Sequence, residues 1–107
     1  MTPTARSIAY LREQMVPVDT AERWIPGANV RRDLFGCIDL VALYTETTAF
    51  IQVTTADNMA AREAKIRASQ HFTELNKAGR EVWLHGWSKR GKRGERKRWT
   101  LTERRVQ

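Results

Sequence analysis

Residues 36–55 read GCIDLVALYTETTAFIQVTT, and this stretch decides the fold. Residues 38–44 are apolar on both faces, which predicts a strand that is covered on both sides. Residues 49–55 are rich in β-branched and aromatic residues and predict the partner strand, joined through a turn at residues 45–48. The stretch therefore predicts a buried β-hairpin in which Asp39 is a lone carboxylate among apolar neighbours.

On the N-terminal side of this hairpin, residues 4–15 predict a helix with Thr4 as its N-cap. Apolar side chains recur there at spacings of three and four residues, namely Ala5, Ile8, Leu11 and Met15. Pro17 ends the helix, and residues 18–25 predict one short strand before Pro26.

On the C-terminal side, residues 58–78 predict a second helix that ends before Gly79. Its apolar stripe is expected to be Ala61, Ala64, Ala68, Phe72 and Leu75. Residues 81–87 predict a strand, residues 88–98 a loop, and the sequence RWTLTERR a last strand. The order αβββαββ predicts a single α/β domain over residues 1–107, with a mixed β-sheet flanked by helices.

Composition excludes several classes of protein. A chain of 107 residues is too short for a multidomain enzyme. No apolar run reaches ~18 residues, and no signal-peptide pattern is visible. The single cysteine, Cys37, excludes a disulfide framework and a cysteine-rich zinc site. These features predict a cytoplasmic protein without a membrane partner.

Positive charge is concentrated at the C-terminal end. The net charge is +7, and residues 88–107 contain nine basic and two acidic side chains, which accounts for the whole excess. Such clustering favours contact with a phosphate backbone over a merely solvated loop. The residues expected to bind nucleic acid there are Lys89, Arg90, Lys92, Arg93, Arg96, Lys97 and Arg98.

The hairpin also predicts a cation site. If residues 45–48 form the turn, Tyr44 faces Ala49, and Asp39 lies diagonally across from Gln52 with β-carbons roughly 7–8 Å apart. A carboxylate and an amide oxygen at that separation can share one divalent cation, and Mg²⁺ prefers oxygen ligands. Alternatively, Asp39 is a buried carboxylate satisfied by backbone donors or by an arginine.

The sequence GCID at residues 36–39, a turn, and IQVT at residues 51–54 together resemble the core of the PD-(D/E)XK nucleases. The preceding RRDLFG at residues 31–36 adds to the likeness, which is strongest to the small Holliday-junction-resolvase-like and phage-encoded nucleases. The resemblance extends over residues 6–105. It implies a restriction-endonuclease-like fold, Mg²⁺ or Mn²⁺ as cofactor, DNA as partner and a homodimer.

The family pattern is an Asp on one strand followed by Asp/Glu-x-Lys on the next. Asp39 matches the Asp, whereas Gln52 stands where the acid is expected and Thr54 where the lysine is expected. By resemblance, Asp39, Gln52 and Thr54 are the catalytic positions, with Asp39 and Gln52 as metal ligands.

The same resemblance extends to flanking residues. Lys65 on the following helix replaces the missing lysine, with Arg62 close by. Glu22 matches the acid that related nucleases supply from the N-terminal region, and Asp33 is a weaker substitute. Nucleic-acid contacts are expected from Arg31, Arg32 and Arg62 in addition to the basic segment.

Three functions remain open at this point. The first is a metal-dependent DNA endonuclease, in which branched DNA is one substrate to test. The second is a catalytically degenerate nucleic-acid-binding module on the same fold, which the Gln52 and Thr54 departures favour. The third is a small basic scaffold protein, which explains the charged segment but not Asp39.

Overall fold

The computed structural model describes residues 1–28 and 30–107, and of Arg23, Val30 and Arg31 it describes the backbone only. The helices of this part are α1 (Pro3–Glu13), α2 (Met59–Arg67) and α3 (Phe72–Leu75), with a 3₁₀ turn at Ala56–Asn58. The strands are β1 (Val18–Thr20), β2 (Arg23–Ile25), β3 (Val30–Arg32), β4 (Leu40–Leu43), β5 (Thr48–Thr55), β6 (Arg80–Arg90) and β7 (Arg98–Arg105).

Five strands form one mixed sheet in the order β1-β4-β5-β6-β7. Strands β5 and β6 are parallel, and the other neighbouring pairs are antiparallel. A parallel pair needs a crossover connection, which the segment containing α2 and α3 supplies. The predicted α/β class with a mixed sheet is therefore confirmed.

The N-terminal strands differ from the prediction. Residues 18–25 form two strands rather than one, because the chain leaves the main sheet between β1 and β2. Strand β2 instead pairs with β3, which was not predicted, in a separate two-stranded sheet.

The sheet is covered on both faces, as the apolar hairpin predicted. Residues Leu40, Ala42, Ala49 and Ile51 face α1, where they pack with Leu11. On the opposite face, α2 and α3 cover the alternate residues of β6 with Ile66 and Leu75. Each strand of the hairpin is therefore apolar on both sides.

Helix α1 begins and ends earlier than expected. Thr2, not Thr4, is the N-cap, and its Oγ1 accepts a hydrogen bond from the Ala5 N–H at 3.1 Å. The helix ends at Glu13, so Met15 falls outside it and is 89% exposed. The buried positions of this helix are Ser7 and Leu11, one turn apart.

The second predicted helix is broken into two, and only part of its expected apolar stripe is buried: Leu75 is in the core and Phe72 packs against it. It consists of α2, α3 and the intervening residues, and α2 buries Met59 and Ile66. The stripe of Ala61, Ala64 and Ala68 lies on the opposite side of the helix and is exposed. The large apolar side chains outweigh the small ones because they bury more area.

A buried hydrogen-bonded chain fixes α1 to the sheet. The Trp87 Nε1–H donates to Ser7 Oγ at 2.8 Å, and Ser7 Oγ is 2.9 Å from His85 Nδ1. His85 Nε2 faces Glu103 Oε1 at 3.4 Å, and because a carboxylate only accepts, the ring proton is placed on Nε2. Nδ1 then accepts from the Ser7 hydroxyl, whose oxygen accepts from the indole. His85 is therefore part of the packing between α1 and the sheet.

The basic segment is mainly loop, as predicted, but the flanking strands extend into both of its ends. Strand β6 continues to Arg90 and β7 begins at Arg98, and these two residues are register partners. Only residues 91–97 connect the strands. No helix within the described ranges 1–28 and 30–107 is both long and apolar enough to span a membrane.

Candidate active site

The hairpin register brings Asp39 and Gln52 together. Observed pairs are Leu40 with Ile51 and Ala42 with Ala49, which is a shift of two residues from the predicted register. A two-residue shift leaves every side chain on its expected face, because side chains alternate with a period of two. Gln52 therefore lies across from Asp39 rather than diagonal to it, and its Nε2 donates to Asp39 Oδ2 at 2.6 Å.

A tight turn brings Asp33 to the same place. Leu34 and Ile38 form an antiparallel bridge, and the chain reverses between them through Phe35 (φ 53°) and Gly36 (φ 73°). Asp33 precedes this bridge and Asp39 follows it.

Glu22 completes a group of three carboxylates. Ala21 N–H donates to the Asp39 carbonyl oxygen at 2.7 Å, which holds the β1–β2 connection against the start of β4. One carboxylate oxygen from each of Glu22, Asp33 and Asp39 lies within 4.8 Å of the other two. We call these three residues the acid cluster.

Burial dominates the electrostatics of Asp39. Its side chain is only 6% exposed, and desolvation raises the pKa of the carboxyl to about 6. The neighbouring Asp33 carboxyl raises that pKa further, while the Val53 N–H and the Gln52 amide oppose the increase by donating to the carboxylate. At neutral pH Asp39 is therefore an ionised group in a site that favours its neutral form.

Gln52 has one amide atom without a partner. The side chain is 1% exposed, and its Oε1 accepts no hydrogen bond from the residues that the structure describes. A buried, uncharged amide oxygen is a type of ligand that a hard divalent cation coordinates, and the Gln52 amide contacts Asp39 of the acid cluster. The amide group can present either Oε1 or Nε2 toward Asp39 by rotating about its last bond.

Lys65 borders the acid cluster. Its Nζ is 3.7 Å from Asp33 Oδ2, and both residues line an open cleft of about 580 Å³. Arg32 also lines this cleft, as do Phe35 and His71, whose rings lie 4.8 Å apart. Asp33 therefore connects the acid cluster to a cleft that two cationic side chains line.

The remaining expected site residues lie elsewhere. Thr54 is buried in β5 beside Gly86 and shows no hydrogen bond to the acid cluster within the described ranges. Arg62 is half-buried on α2. The side chain of Arg31 lies outside the described residues. The seven cations of the basic segment lie on the β6–β7 hairpin.

Sequence reasoning found most of this site but ranked Asp33 too low. The signal was the spacing of Asp33 and Asp39 around Phe35-Gly36. A phenylalanine at positive φ is unusual, so the turn between the acids was not foreseen.

Comparisons of the chain with protein-family models, with curated proteins and with solved structures find no match.

Proposed function

We propose that the protein is a metal-dependent endonuclease that hydrolyses phosphodiester bonds in DNA. The observation that carries the proposal is the acid cluster, in which three carboxylate oxygens lie within 4.8 Å of one another beside Lys65. The order of one helix, a hairpin, a crossover helix and a parallel strand in a mixed sheet supports the restriction-endonuclease-like core.

The donor set fits Mg²⁺ or Mn²⁺. Glu22, Asp33 and Asp39 offer hard, anionic oxygens, and the unpartnered Oε1 of Gln52 offers a neutral one. A divalent cation held there supplies Lewis-acid charge that stabilises a transferring phosphoryl group. It also offsets the cost of keeping Asp39 ionised.

Other side chains position the substrate. Lys65 places positive charge at the mouth of the site, where it offsets negative charge developing on the phosphate. Arg32 and the β6–β7 hairpin hold the flanking backbone, and we include Arg31 and Arg62 in this role. Backbone contacts of this type position the nucleic acid without reading its bases.

A matched set of variants tests the activity. Wild-type protein is incubated with labelled four-way-junction and linear duplex DNA in Mg²⁺ or Mn²⁺, with EDTA as the metal-free control. We expect metal-dependent cutting that falls by about 100-fold or more in Asp39→Ala and by about tenfold or more in Lys65→Ala. Lys77→Ala removes a lysine that pairs with Glu74, away from the cluster, and leaves the rate unchanged.

A specific observation favours a second function, a DNA-binding module without catalysis. Gln52 replaces an acid and donates to Asp39, and Thr54 brings no cation. Salt-sensitive DNA binding without cutting in either metal establishes the module and overturns the nuclease.

A symmetric dimer belongs to the nuclease proposal, because matched cuts in two strands of a branch need two sites. Light scattering at several protein concentrations measures the mass. A monomer that still cuts junctions in paired positions contradicts the dimer but not the hydrolysis.

A further inference from the structure

Trp99 is an exposed tryptophan beside two cationic side chains. It lies on β7, directly after the basic loop, and is 42% exposed. The Arg6 guanidinium carbon lies 4.0 Å from the centre of the Trp99 ring, and Lys89 Nζ lies 5.9 Å from it. Three elements, α1, β6 and β7, thus contribute one side chain each to a cationic cluster around an indole.

The guanidinium of Arg6 contacts the Trp99 ring, but no carboxylate among the described residues pairs with its charge. Among the described residues, neither Arg6 nor Lys89 forms an ion pair with a carboxylate. The Arg6 Nε atom is buried without a hydrogen-bond partner in the same part of the chain. Stacking on a tryptophan leaves the N–H edge of a guanidinium free, and that edge matches phosphate in a bidentate geometry.

We propose that Arg6, Lys89 and Trp99 form a phosphate-binding site for a nucleic-acid backbone. Trp99 fixes the plane of the Arg6 guanidinium, Arg6 donates to the phosphate oxygens, and Lys89 adds a second charge. The choice of nucleic acid as ligand rests on the proposed function. The site itself depends only on this cluster.

Strand register gives its position relative to the acid cluster. Gln52 is the partner of Leu84, and Lys89 lies five residues further along β6. At about 3.3 Å per residue and 4.8 Å between strands, the two sites are about 17 Å apart along the sheet. Along the axis of a DNA duplex, that distance equals the rise of about five base pairs.

The two sites also lie on opposite faces of the sheet. Lys89 lies two residues after Trp87 and four after His85, so its side chain is on the same face as theirs, which is the face that packs against α1. Asp39 and Gln52 are on the other face, on the side of α2. A backbone that contacts both sites therefore passes the end of the sheet from which the β6–β7 hairpin projects.

A DNA-binding measurement in EDTA, where a metal-dependent nuclease does not cut, tests this site separately from catalysis. Fluorescence anisotropy of a labelled DNA duplex in EDTA gives Kd over a series of salt concentrations. We expect Arg6→Ala to weaken binding by about tenfold and to reduce the log–log salt slope by about one. Arg12→Ala removes an exposed arginine from the same helix and changes Kd by less than about twofold.

Three further variants separate the stacking from the charge. Arg6→Lys keeps the charge but loses the planar donor edge, and Trp99→Ala loses the platform, so each weakens binding by about three- to fivefold. Trp99→Phe keeps a ring and stays within about twofold of wild type. Circular dichroism confirms that each variant is folded.

The outcomes distinguish this inference from the proposed function. Equal Kd values for Arg6→Ala and Arg12→Ala overturn the phosphate site, even if the wild-type protein cuts DNA. A tenfold loss in Arg6→Ala supports the site even if no cutting is found. If wild-type protein shows no binding to DNA, the ligand assignment is wrong whatever its activity.

Discussion

Asp39 is a buried carboxylate whose surroundings oppose its charge. The pKa of about 6 reflects a desolvation that its two hydrogen-bond donors only partly offset. A group held in its less favoured state destabilises the fold, and such groups concentrate at functional sites. The free-energy cost of keeping Asp39 ionised is therefore consistent with the proposed role of this carboxylate as a metal ligand.

Removing that charge is expected to stabilise the protein. Asp39→Asn keeps an oxygen that accepts from Gln52 and from the Val53 N–H, and it removes the buried charge. We expect Tm at pH 7.5 to rise by about 4 °C or more without metal. Added Mn²⁺ raises the Tm of wild type but not of Asp39→Asn. Thermal unfolding with and without EDTA measures both effects, and Asp57→Asn, at an exposed acid, is the control.

Gln52→Glu is expected to have the opposite effect. It places a second carboxylate against Asp39, so like charges replace a 2.6 Å hydrogen bond. We expect Tm without metal to fall by about 5–10 °C and the gain from Mn²⁺ to exceed that of wild type. The exposed Gln14→Glu is the matched control in the same thermal assay. An unchanged Mn²⁺ response contradicts a role for residue 52 in metal binding.

The sequence could identify Asp39 and Gln52 as a pair because an error of two residues in the strand register leaves both side chains on the same face of the sheet. It could not give their direct contact, since the turn was placed one residue too late. The position of Asp33 near Asp39 depends on a turn in which Phe35 has a positive φ, and a phenylalanine rarely adopts that conformation.

At the scale of elements, α1 is fixed to the sheet by Ser7. Ser7→Ala leaves the Trp87 indole N–H and His85 Nδ1 without partners in a buried site. Each unsatisfied group costs about 1–3 kcal/mol, so we expect a total loss of about 2–6 kcal/mol. Urea unfolding measures this loss, and the half-buried Ser88→Ala should cost less than about 1 kcal/mol. A loss below that of Ser88→Ala shows that the hydrogen-bonded chain is not maintained.

The burial of His85, on β6, predicts that stability depends on pH. Burial lowers the pKa of His85 from 6.5 to about 4. The unfolded chain therefore binds more protons between those values, and stability falls as pH decreases from 6.5 toward 4. Asp39 acts in the opposite sense, because its pKa rises from 3.8 to about 6 and the folded protein binds more protons in that window.

The two groups can be separated by mutation. In Asp39→Asn only the His85 contribution remains, so we expect the free energy of unfolding to fall by about 2–3 kcal/mol between pH 6.5 and 4.5. Wild type changes less over the same range. Urea titrations at both pH values measure this difference, and equal pH dependence in the two proteins contradicts it.

Helix α2 shows where element prediction failed. Small residues at helical spacing suggested a close-packed face, but Met59 and Ile66 compete for the same core. At Gly86, an added Cβ would clash with the Met59 side chain, so this face of α2 lies close on β6. Strand β3 carried no apolar alternation from which it could be predicted, and nothing in residues 18–25 marked the break between β1 and β2.

For the whole molecule, charge is divided between two regions. The acid cluster lies within residues 1–87, which have no net charge. The excess positive charge is in residues 88–107, which include most of the β6–β7 hairpin. Under the proposed function, we expect the hairpin to attract a polyanion before any of its phosphates reaches the acids. This separation predicts that DNA affinity and metal affinity can be changed independently.

The salt dependence of DNA binding tests the role of the hairpin loop. Replacing Lys92, Arg93, Arg96 and Lys97 by Ser removes four exposed charges from the connection between β6 and β7. With a slope of about −0.9 per neutralised phosphate, we expect the log–log slope to fall by up to about four, while the Mn²⁺-induced rise in Tm stays unchanged. The control exchanges lysine and arginine at the same four positions, so it keeps the charge and should keep the slope. Fluorescence anisotropy at a series of salt concentrations measures the slope. If the serine variant and the exchange variant have equal slopes, these four loop cations make no phosphate contacts, and the contacts must be sought at Arg6, Lys89 and the strands of the hairpin.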